Sequence, residues 1–295
     1  MIVSAALAVL SALLYGVSDF SSGLASRLIR VMPAATVSYV FAAVVMLTSL
    51  AFSGGQWSSA AILWGAVAGV FMTIGLLSFY AAMAKGPMSI ASPLIAVLQA
   101  AVPVAVAIAI GDHLAWWSWC AIAAAGAAGV LLTADHSTAT LRINRRTVLL
   151  AVTSGGALGL SVVALNAAPK DGQLIPGVCE IMIGLIVLAA SSTALQTRTR
   201  GRATPPQPAW GLNHLKSRRQ GVLLAAVGGL QLGGANGLLI VALHSGNLAI
   251  VGVLVSLYPA ATITLARLVL HERLAVLQII GVILALLAAN VLAFA

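Results

Sequence analysis

Residues 8–18 read AVLSALLYGVS, and residues 151–161 read AVTSGGALGLS. Laid one over the other, they match at Ala8/Ala151, Val9/Val152, Ser11/Ser154, Gly16/Gly159 and Ser18/Ser161. Each segment lies inside a longer apolar run, approximately 2–24 and 147–167. A helix rises about 1.5 Å per residue and the hydrocarbon core of a bilayer is about 30 Å thick, so about 20 apolar residues cross it. Two runs of that length with shared small and polar positions predict a membrane protein built twice.

Working outward, the same test marks eight more spans, approximately 32–52, 60–84, 88–110, 115–134, 175–195, 220–243, 247–270 and 274–294. Composition agrees. The chain is 61% hydrophobic and only 7% charged, where a soluble domain carries about 25% charge to solvate its surface. An ordinary cytosolic enzyme, a nucleic-acid-binding module and a disordered chain are excluded. The gaps are short and hold turn formers, such as Ser53-Gly54-Gly55 and His244-Ser245-Gly246-Asn247. The one long gap, from Gln196 to Gln220, holds Pro205, Pro206, Pro208 and six basic residues and is expected to be a solvated loop. Cys120 and Cys179 lie within apolar runs, so no disulfide framework is indicated. The apolar N-terminal run lacks a basic leader and reads as a retained first helix.

The register of 8–18 on 151–161 also places Pro33 on Pro176. A second register places Ala66, Val67 and Gly69 on Ala226, Val227 and Gly229, Gly86 on Gly246, Asp112 on Glu272, and Leu114-Ala115 on Leu274-Ala275. The long gap absorbs the difference between the two registers, since its counterpart is the short gap 53–59. Each half, 1–136 and 144–295, therefore holds five spans. An odd number turns the second half upside down relative to the first. The expected fold is an all-α membrane protein of ten transmembrane helices in two inverted five-helix repeats. Inverted repeats that enclose a midplane site and exchange its access by rocking are a common transporter design.

Polar residues inside the spans are the candidates for function. Asp19 is foremost, because a carboxylate in a span costs about 2.5–3.5 kcal/mol on insertion scales. Ser11, Tyr15, Asp19, Ser22 and Ser26 recur at three or four residues and share one helix face. Such a stripe should face the protein interior or a watered cavity, where Asp19 can hold a cationic group or a proton. The plainer alternative is that Asp19 pairs with Arg27 near the end of the span. Its repeat partner is Val162, so its role is not duplicated. Glu180, about one and a half turns into the seventh span, can be relieved by pairing, protonation or snorkelling. Asp19 and Glu180 are the coupling candidates. Gln99 and Pro103 in the fourth span and Tyr258 and Pro259 in the ninth form a second group, because a proline frees a carbonyl and broken helices often border transporter sites. A packing kink is the alternative. Tyr80 shares a face of the third span with Thr73, and Gln231 and Asn236 are buried amides of the eighth. Asn166 ends the sixth. These last residues also fit plain interhelical hydrogen bonds. Gly65/Gly69, Gly155/Gly159, Gly229/Gly233 and Gly233/Gly237 are spaced by four and allow helix backbones to approach closely.

No catalytic motif is present: no phosphate loop, no His-Glu-x-x-His pair and no Gly-x-Ser-x-Gly elbow. The five histidines are scattered in or beside loops without ligand spacing. Neither a catalytic centre, a metal site nor a cofactor is expected. A secondary carrier is the first functional expectation. An intramembrane enzyme using Asp19 and Glu180 as paired acids, or a scaffold or receptor subunit, are the alternatives.

Further marks lie in the second half: Ser256-Leu257-Tyr258-Pro259-Ala260-Ala261, then Leu270-His271-Glu272-Arg273-Leu274, then Gln278-Ile279-Ile280-Gly281. The first half has a weaker version in Leu98 to Pro103, Gly111-Asp112-His113-Leu114, Gly126 and Gly129, and Tyr15-Gly16 precedes Ser18, Asp19 and Phe20. This arrangement resembles EamA-type members of the drug/metabolite transporter superfamily, over nearly the whole chain. Asp112 stands where the pattern usually has Glu, and Tyr15 where it usually has Trp. The resemblance implies a ten-helix carrier, often an exporter of small metabolites, amino acids or drugs, in a bacterial cell membrane. It implies a cavity among the first, third, fourth, sixth, eighth and ninth helices, with the second and seventh flanking it. Asp112 and Glu272 sit at loop-to-helix junctions, where an acid caps a helix.

The expected partners are a small-molecule substrate and the lipid bilayer, not nucleic acid, and a homodimer is compatible with them. Of the 15 Lys and Arg residues, all but Lys170 fall in or beside the odd-numbered loops. Basic residues in short loops stay on the cytoplasmic side, which places both termini outside. The resemblance implies the reverse, since many ten-helix relatives have both termini inside.

Overall fold

The computed structural model describes residues 2–29, 31–85, 88–111, 115–132, 145–199, 218–270 and 276–293. Among these, every regular element is helical. The first half holds α1 (Ile2–Ile29), α2 (Val31–Ser53), α3 (Ser59–Lys85), α4 (Met88–Ala109) and α5 (Trp116–Leu132). The second holds α6 (Arg145–Ala167), α7 (Ile175–Thr199), α8 (Arg218–Ser245), α9 (Leu248–Val255), α10 (Tyr258–Leu270) and α11 (Val276–Ala293), with a 3-10 turn at Lys170–Gly172 before α7. α9 and α10 are two parts of the ninth span, so the ten expected spans are all present.

The break in the ninth span has a local cause. Asn247 caps α9, its side chain accepting from the amides of Ala249 and Ile250 at 2.8 and 3.3 Å. Every residue of α9 is buried. Pro259 has no N–H to continue the ladder, but it is favourable in the first turn of a new helix, where it stands in α10. Pro259 therefore starts a helix rather than kinking one.

Five helical stretches are long and apolar enough to cross a membrane: Ile2–Ser26, Met32–Ser53, Ser59–Ser78, Val148–Ala167 and Arg218–Ser245. Shorter apolar stretches come from α4, α7 and the α9–α10 span. Large apolar side chains on the outside, among them Leu13, Val44, Leu63, Leu149, Ile186, Leu223 and Ile283, are exposed. In water that would be a severe cost; against lipid it is none. Trp57 before α3 and Trp116 at the start of α5 are exposed at span ends, where tryptophan sits at the headgroup level. The protein is an integral, multi-pass membrane protein.

The helices pack as a repeat requires. If α1 to α5 correspond to α6, α7, α8, α9–α10 and α11, the contact of α1 with α8 becomes that of α6 with α3. The contact of α2 with α8 becomes that of α7 with α3, and α4 with α6 becomes α9–α10 with α1. α2 with α7 and α5 with α11 map onto themselves. All of these pairs are in contact. Single hydrogen bonds obey the same exchange. Ser11 Oγ donates to the Ala235 carbonyl at 2.7 Å, and Ser154 Oγ donates to the Gly75 carbonyl at 2.9 Å. In the two registers above, Ser154 is the counterpart of Ser11 and Ala235 that of Gly75.

Close approach at glycine makes these contacts possible. A Cβ on Gly69 would lie 2.7 Å from Cβ of Ile183 and 2.9 Å from the Glu180 carbonyl on α7. Its counterpart Gly229 meets the Ser38 carbonyl on α2, where a Cβ would collide outright. Gly65, Gly155, Gly159 and Gly233 are likewise points of close helix approach, whereas Gly237 has only an ordinary contact with Met46.

Three of the even-numbered connections gather at one end. The Gln56 amide donates to the Asp171 carbonyl at 2.9 Å, and Lys170 Nζ donates to the His244 carbonyl at 2.7 Å. These bonds tie the α2–α3, α6–α7 and α8–α9 connections together. One sequence expectation is corrected here: the gap 196–220 is not loop throughout, because α7 runs to Thr199 and α8 begins at Arg218. Asp112, Glu272 and most of that gap lie outside the described residues.

Candidate functional site

The helices line a partly open cavity of about 140 Å³. Four elements of the first half reach it: α1 with Tyr15, Ser18, Asp19 and Ser22; α2 with Ala35, Ser38 and Tyr39; α3 with Met72 and Leu76; and α4 with Gln99. From the second half come Leu158, Ser161, Val162 and Leu165 of α6, Glu180 of α7, Leu232 and Leu239 of α8, Val255 of α9 and Tyr258 of α10. Four of the five stripe residues of α1 therefore face inward, while Ser26 donates to the Gly23 carbonyl of its own helix at 2.7 Å. Ser11 and Tyr15 bond to α8, Asp19 faces the cavity, and Ser22 Oγ lies 3.1 Å from Ser38 Oγ.

A hydrogen-bonded chain crosses the cavity wall. Tyr15 donates its hydroxyl to Asn236 Oδ1 at 3.1 Å, and Asn236 Nδ2 donates to Glu180 Oε2 at 2.7 Å. The other carboxylate oxygen, Oε1, lies 2.6 Å from Ser161 Oγ. The chain joins α1, α8, α7 and α6, two helices at a time. Glu180 and Asn236 are buried at 2% and 1% exposure, so neither reaches an interface with water. Glu180 does not snorkel.

Asp19 differs. It keeps an exposed surface although it sits deep among the helices, because it opens on the cavity rather than on the outside. No described residue donates a hydrogen bond to it. Gln99 Oε1 is also buried with no hydrogen-bond partner among the described residues. No Lys, Arg or His lines the cavity among those residues.

The cavity has two unlike walls. Tyr15 and Asn236 are hydrogen-bonded, but their repeat counterparts are Leu158 and Leu76, both apolar and both in the lining. Opposite Asp19 in the repeat stands Val162, also in the lining. At these three positions one side carries an acid or a hydrogen-bonding group and its pseudo-symmetric side carries hydrocarbon.

Of the residues singled out from the sequence, Tyr15, Asp19, Gln99, Tyr258 and Glu180 meet at this cavity. Asn236 stands behind it as a bridge between Tyr15 and Glu180. Pro103, Pro259 and Gln231 are not part of the described lining; Pro103 packs on α9, 2.6 Å from where a Cβ of Gly252 would be. The side chain of Tyr80 lies outside the described ones. The expectation that the second and seventh helices only flank the cavity is corrected: α2 and α7 both line it. Contact of α2 with α8 and of α7 with α3, through Gly229 and Gly69, brings them in that far. Ser38, Tyr39 and Ser161 were not foreseen as lining residues. Ser161 had a visible signal, its match to Ser18 in the repeat, whereas Tyr39 had none.

The model of the EamA-like transporter family matches residues 145–294, just over half of the 295-residue chain. No curated protein matches the chain. A solved structure, described only as the crystal structure of a protein, superposes with a TM-score of 0.71 at 15% identity, covering 98% of this chain and 96% of that one. At that identity the superposition speaks for the fold alone, and it does so over both halves. The chain belongs to the EamA-like transporter family and is a membrane transporter of the drug/metabolite type.

Proposed function

We propose that the protein is a secondary transporter that moves a small metabolite across a bacterial cell membrane by alternating access of the cavity, in the direction of export. The observation that carries this is Asp19: a carboxylate without a hydrogen-bond partner among the described residues, opening on a cavity built by both halves. Two halves that pack through exchanged copies of the same contacts can rock against each other about a fixed site. A cavity of about 140 Å³ is close in size to a cavity of about 150 Å³ that admits benzene. The substrate is then a compact molecule, with a cationic or hydrogen-bond-donating head toward Asp19 and Gln99 and an apolar body toward Leu76, Leu158 and Val162.

The test is a screen of metabolites for stabilisation of the purified protein, since a ligand that binds only the folded state raises its melting temperature. The stabilising compounds are then followed in proteoliposomes. Substrate flux above that of protein-free vesicles, without ATP, is the expected result. Stabilising compounds that none of the vesicles transport would leave a binding protein or receptor and end the proposal.

A further inference from the structure

Ser161 Oγ is within hydrogen-bond distance of two acceptors, the Ala68 carbonyl on α3 at 3.1 Å and Glu180 Oε1 on α7 at 2.6 Å. A hydroxyl has one proton and can donate to only one of them at a time. Both short contacts become hydrogen bonds if Glu180 brings a proton of its own. Then Glu180 Oε1–H donates to Ser161 Oγ, and Ser161 donates to Ala68. The other oxygen, Oε2, still accepts from Asn236 Nδ2, and Asn236 Oδ1 still accepts from Tyr15. Each of these four contacts then joins one donor to one acceptor.

We propose that Glu180 is a proton-binding site of this carrier: neutral in this conformation, it completes a chain from Tyr15 to the Ala68 carbonyl, and release of its proton breaks the Ser161–Ala68 link. This deepens the transporter reading and rests on it for the role in transport, though not for the protonation itself. On release, the O–H bond of Oε1 breaks and the proton passes to a water molecule entering the cavity. The carboxylate keeps the electron pair, and Ser161 turns its own proton from Ala68 to Oε1. One hydrogen bond between α6 and α3 is lost, at one of the contacts that join the two halves. A proton bound at Glu180 is thereby coupled to how the halves are joined, which is what exchange of a proton for substrate requires.

The surroundings are consistent with a neutral acid. The titratable groups that line the cavity with Glu180 are Tyr15 and Asp19 of α1, Tyr39 of α2 and Tyr258 of α10. The described lining residues of α3, α4, α6, α8 and α9 bring none, and no described cation lines the cavity to stabilise a second carboxylate.

The test reads the proton directly. Infrared spectra of the full-length protein in lipid nanodiscs at neutral pH are compared for wild type, Glu180→Gln, Asp19→Asn and Ser161→Ala. The side-chain amide of the E180Q variant reproduces the geometry of a neutral acid, donating to Ser161 and accepting from Asn236. A protonated-carboxyl C=O band is expected in wild type, lost in E180Q and kept in D19N. In S161A, where the acceptor of the Glu180 proton is gone, the band is expected to shift to higher frequency. Should E180Q fail to fold, the S161A shift decides. Absence of the band in wild type, its survival in E180Q, its loss in D19N, or an unmoved band in S161A would each overturn the proposal. A present band with no flux in proteoliposomes would instead reject the transporter reading and leave the proton site standing.

Discussion

Asp19 and Glu180 line the same cavity but differ in what holds them. Glu180 is bonded by Ser161 and Asn236, whereas no described residue donates to Asp19. A charge left to find its partner in the substrate should be worth at least one charge-assisted hydrogen bond, about 1.5–3 kcal/mol, and 1.4 kcal/mol is about tenfold in an equilibrium. Asp19→Asn is therefore expected to reduce transport about tenfold or more while insertion and melting temperature stay near wild type. Flux in proteoliposomes, read beside a thermal melt, checks both halves of the expectation; undiminished flux would make Asp19 structural. Asn236 is the reverse case. Removing the Tyr15 hydroxyl alone, in Tyr15→Phe, deletes one edge of the chain, and single interhelical hydrogen bonds in membranes average about 0.6 kcal/mol. Asn236→Leu strands two partners, the part-buried Tyr15 and the buried Glu180, at about 1–3 kcal/mol for each group left unsatisfied. A thermal melt in detergent should drop clearly further for N236L than for Y15F. Equal drops would mean that Asn236 is not the link between them.

At the scale of elements, the helix contacts are set by where a side chain is missing. A Cβ on Gly229 collides with the Ser38 carbonyl, while one on Gly126 in α5 meets nothing within 4 Å. Gly229→Ala should destabilise by about 1–3 kcal/mol, the usual cost of overpacking a filled site. Gly126→Ala should be neutral or stabilising, because alanine is favoured over glycine in a helix by up to about 1 kcal/mol. The melting temperature should fall for Gly229→Ala and stay level or rise for Gly126→Ala, and a loss at Gly126 as large as at Gly229 would contradict this packing. These elements also mark how far the sequence could be read. Span count and most span positions were legible because crossing a bilayer needs a minimum apolar length. The polar stripe of α1 was legible because hydroxyls and a carboxylate at three- and four-residue spacing have one face. The ends of α7 and α8 were not, since a helix that leaves the membrane keeps its hydrogen bonds after its apolar pattern stops. The split of the ninth span was half legible: Pro259 was visible, but not that α9 would be capped by Asn247 and buried on all sides. The reach of α2 and α7 into the cavity could not be read at all. Glycines were visible as points of close approach, but nothing in their spacing says which helix approaches.

For the whole molecule, the two halves fix the relative direction of every helix but not which side of the membrane each end meets. The described connections are consistent with one alternation, since the α2–α3, α6–α7 and α8–α9 turns meet at one end, and Ser4 near the start of α1 packs beside Gly246 at that same end. This end holds Lys170 as its sole Lys or Arg among all the loops, and it carries the exposed Trp57. Nearly all remaining basic residues belong to the opposite end. Retention of Lys and Arg in the cytoplasm then predicts that the end with Lys170 and both termini lie outside, the reverse of what the resemblance implies. An inverted duplication allows this, because an ancestral half able to insert either way round gives the same fold in either orientation. Two single-cysteine variants decide the orientation, Asp171→Cys in the exposed α6–α7 connection and Pro206→Cys in the basic α7–α8 connection, each with Cys120 and Cys179 replaced. In intact cells, a membrane-impermeant thiol reagent is expected to label D171C and spare P206C until the membrane is opened. Labelling of P206C with protection of D171C would reverse the orientation. Labelling of both would mean that the two connections are not on opposite sides, and would break the alternation of spans on which the inverted repeat rests.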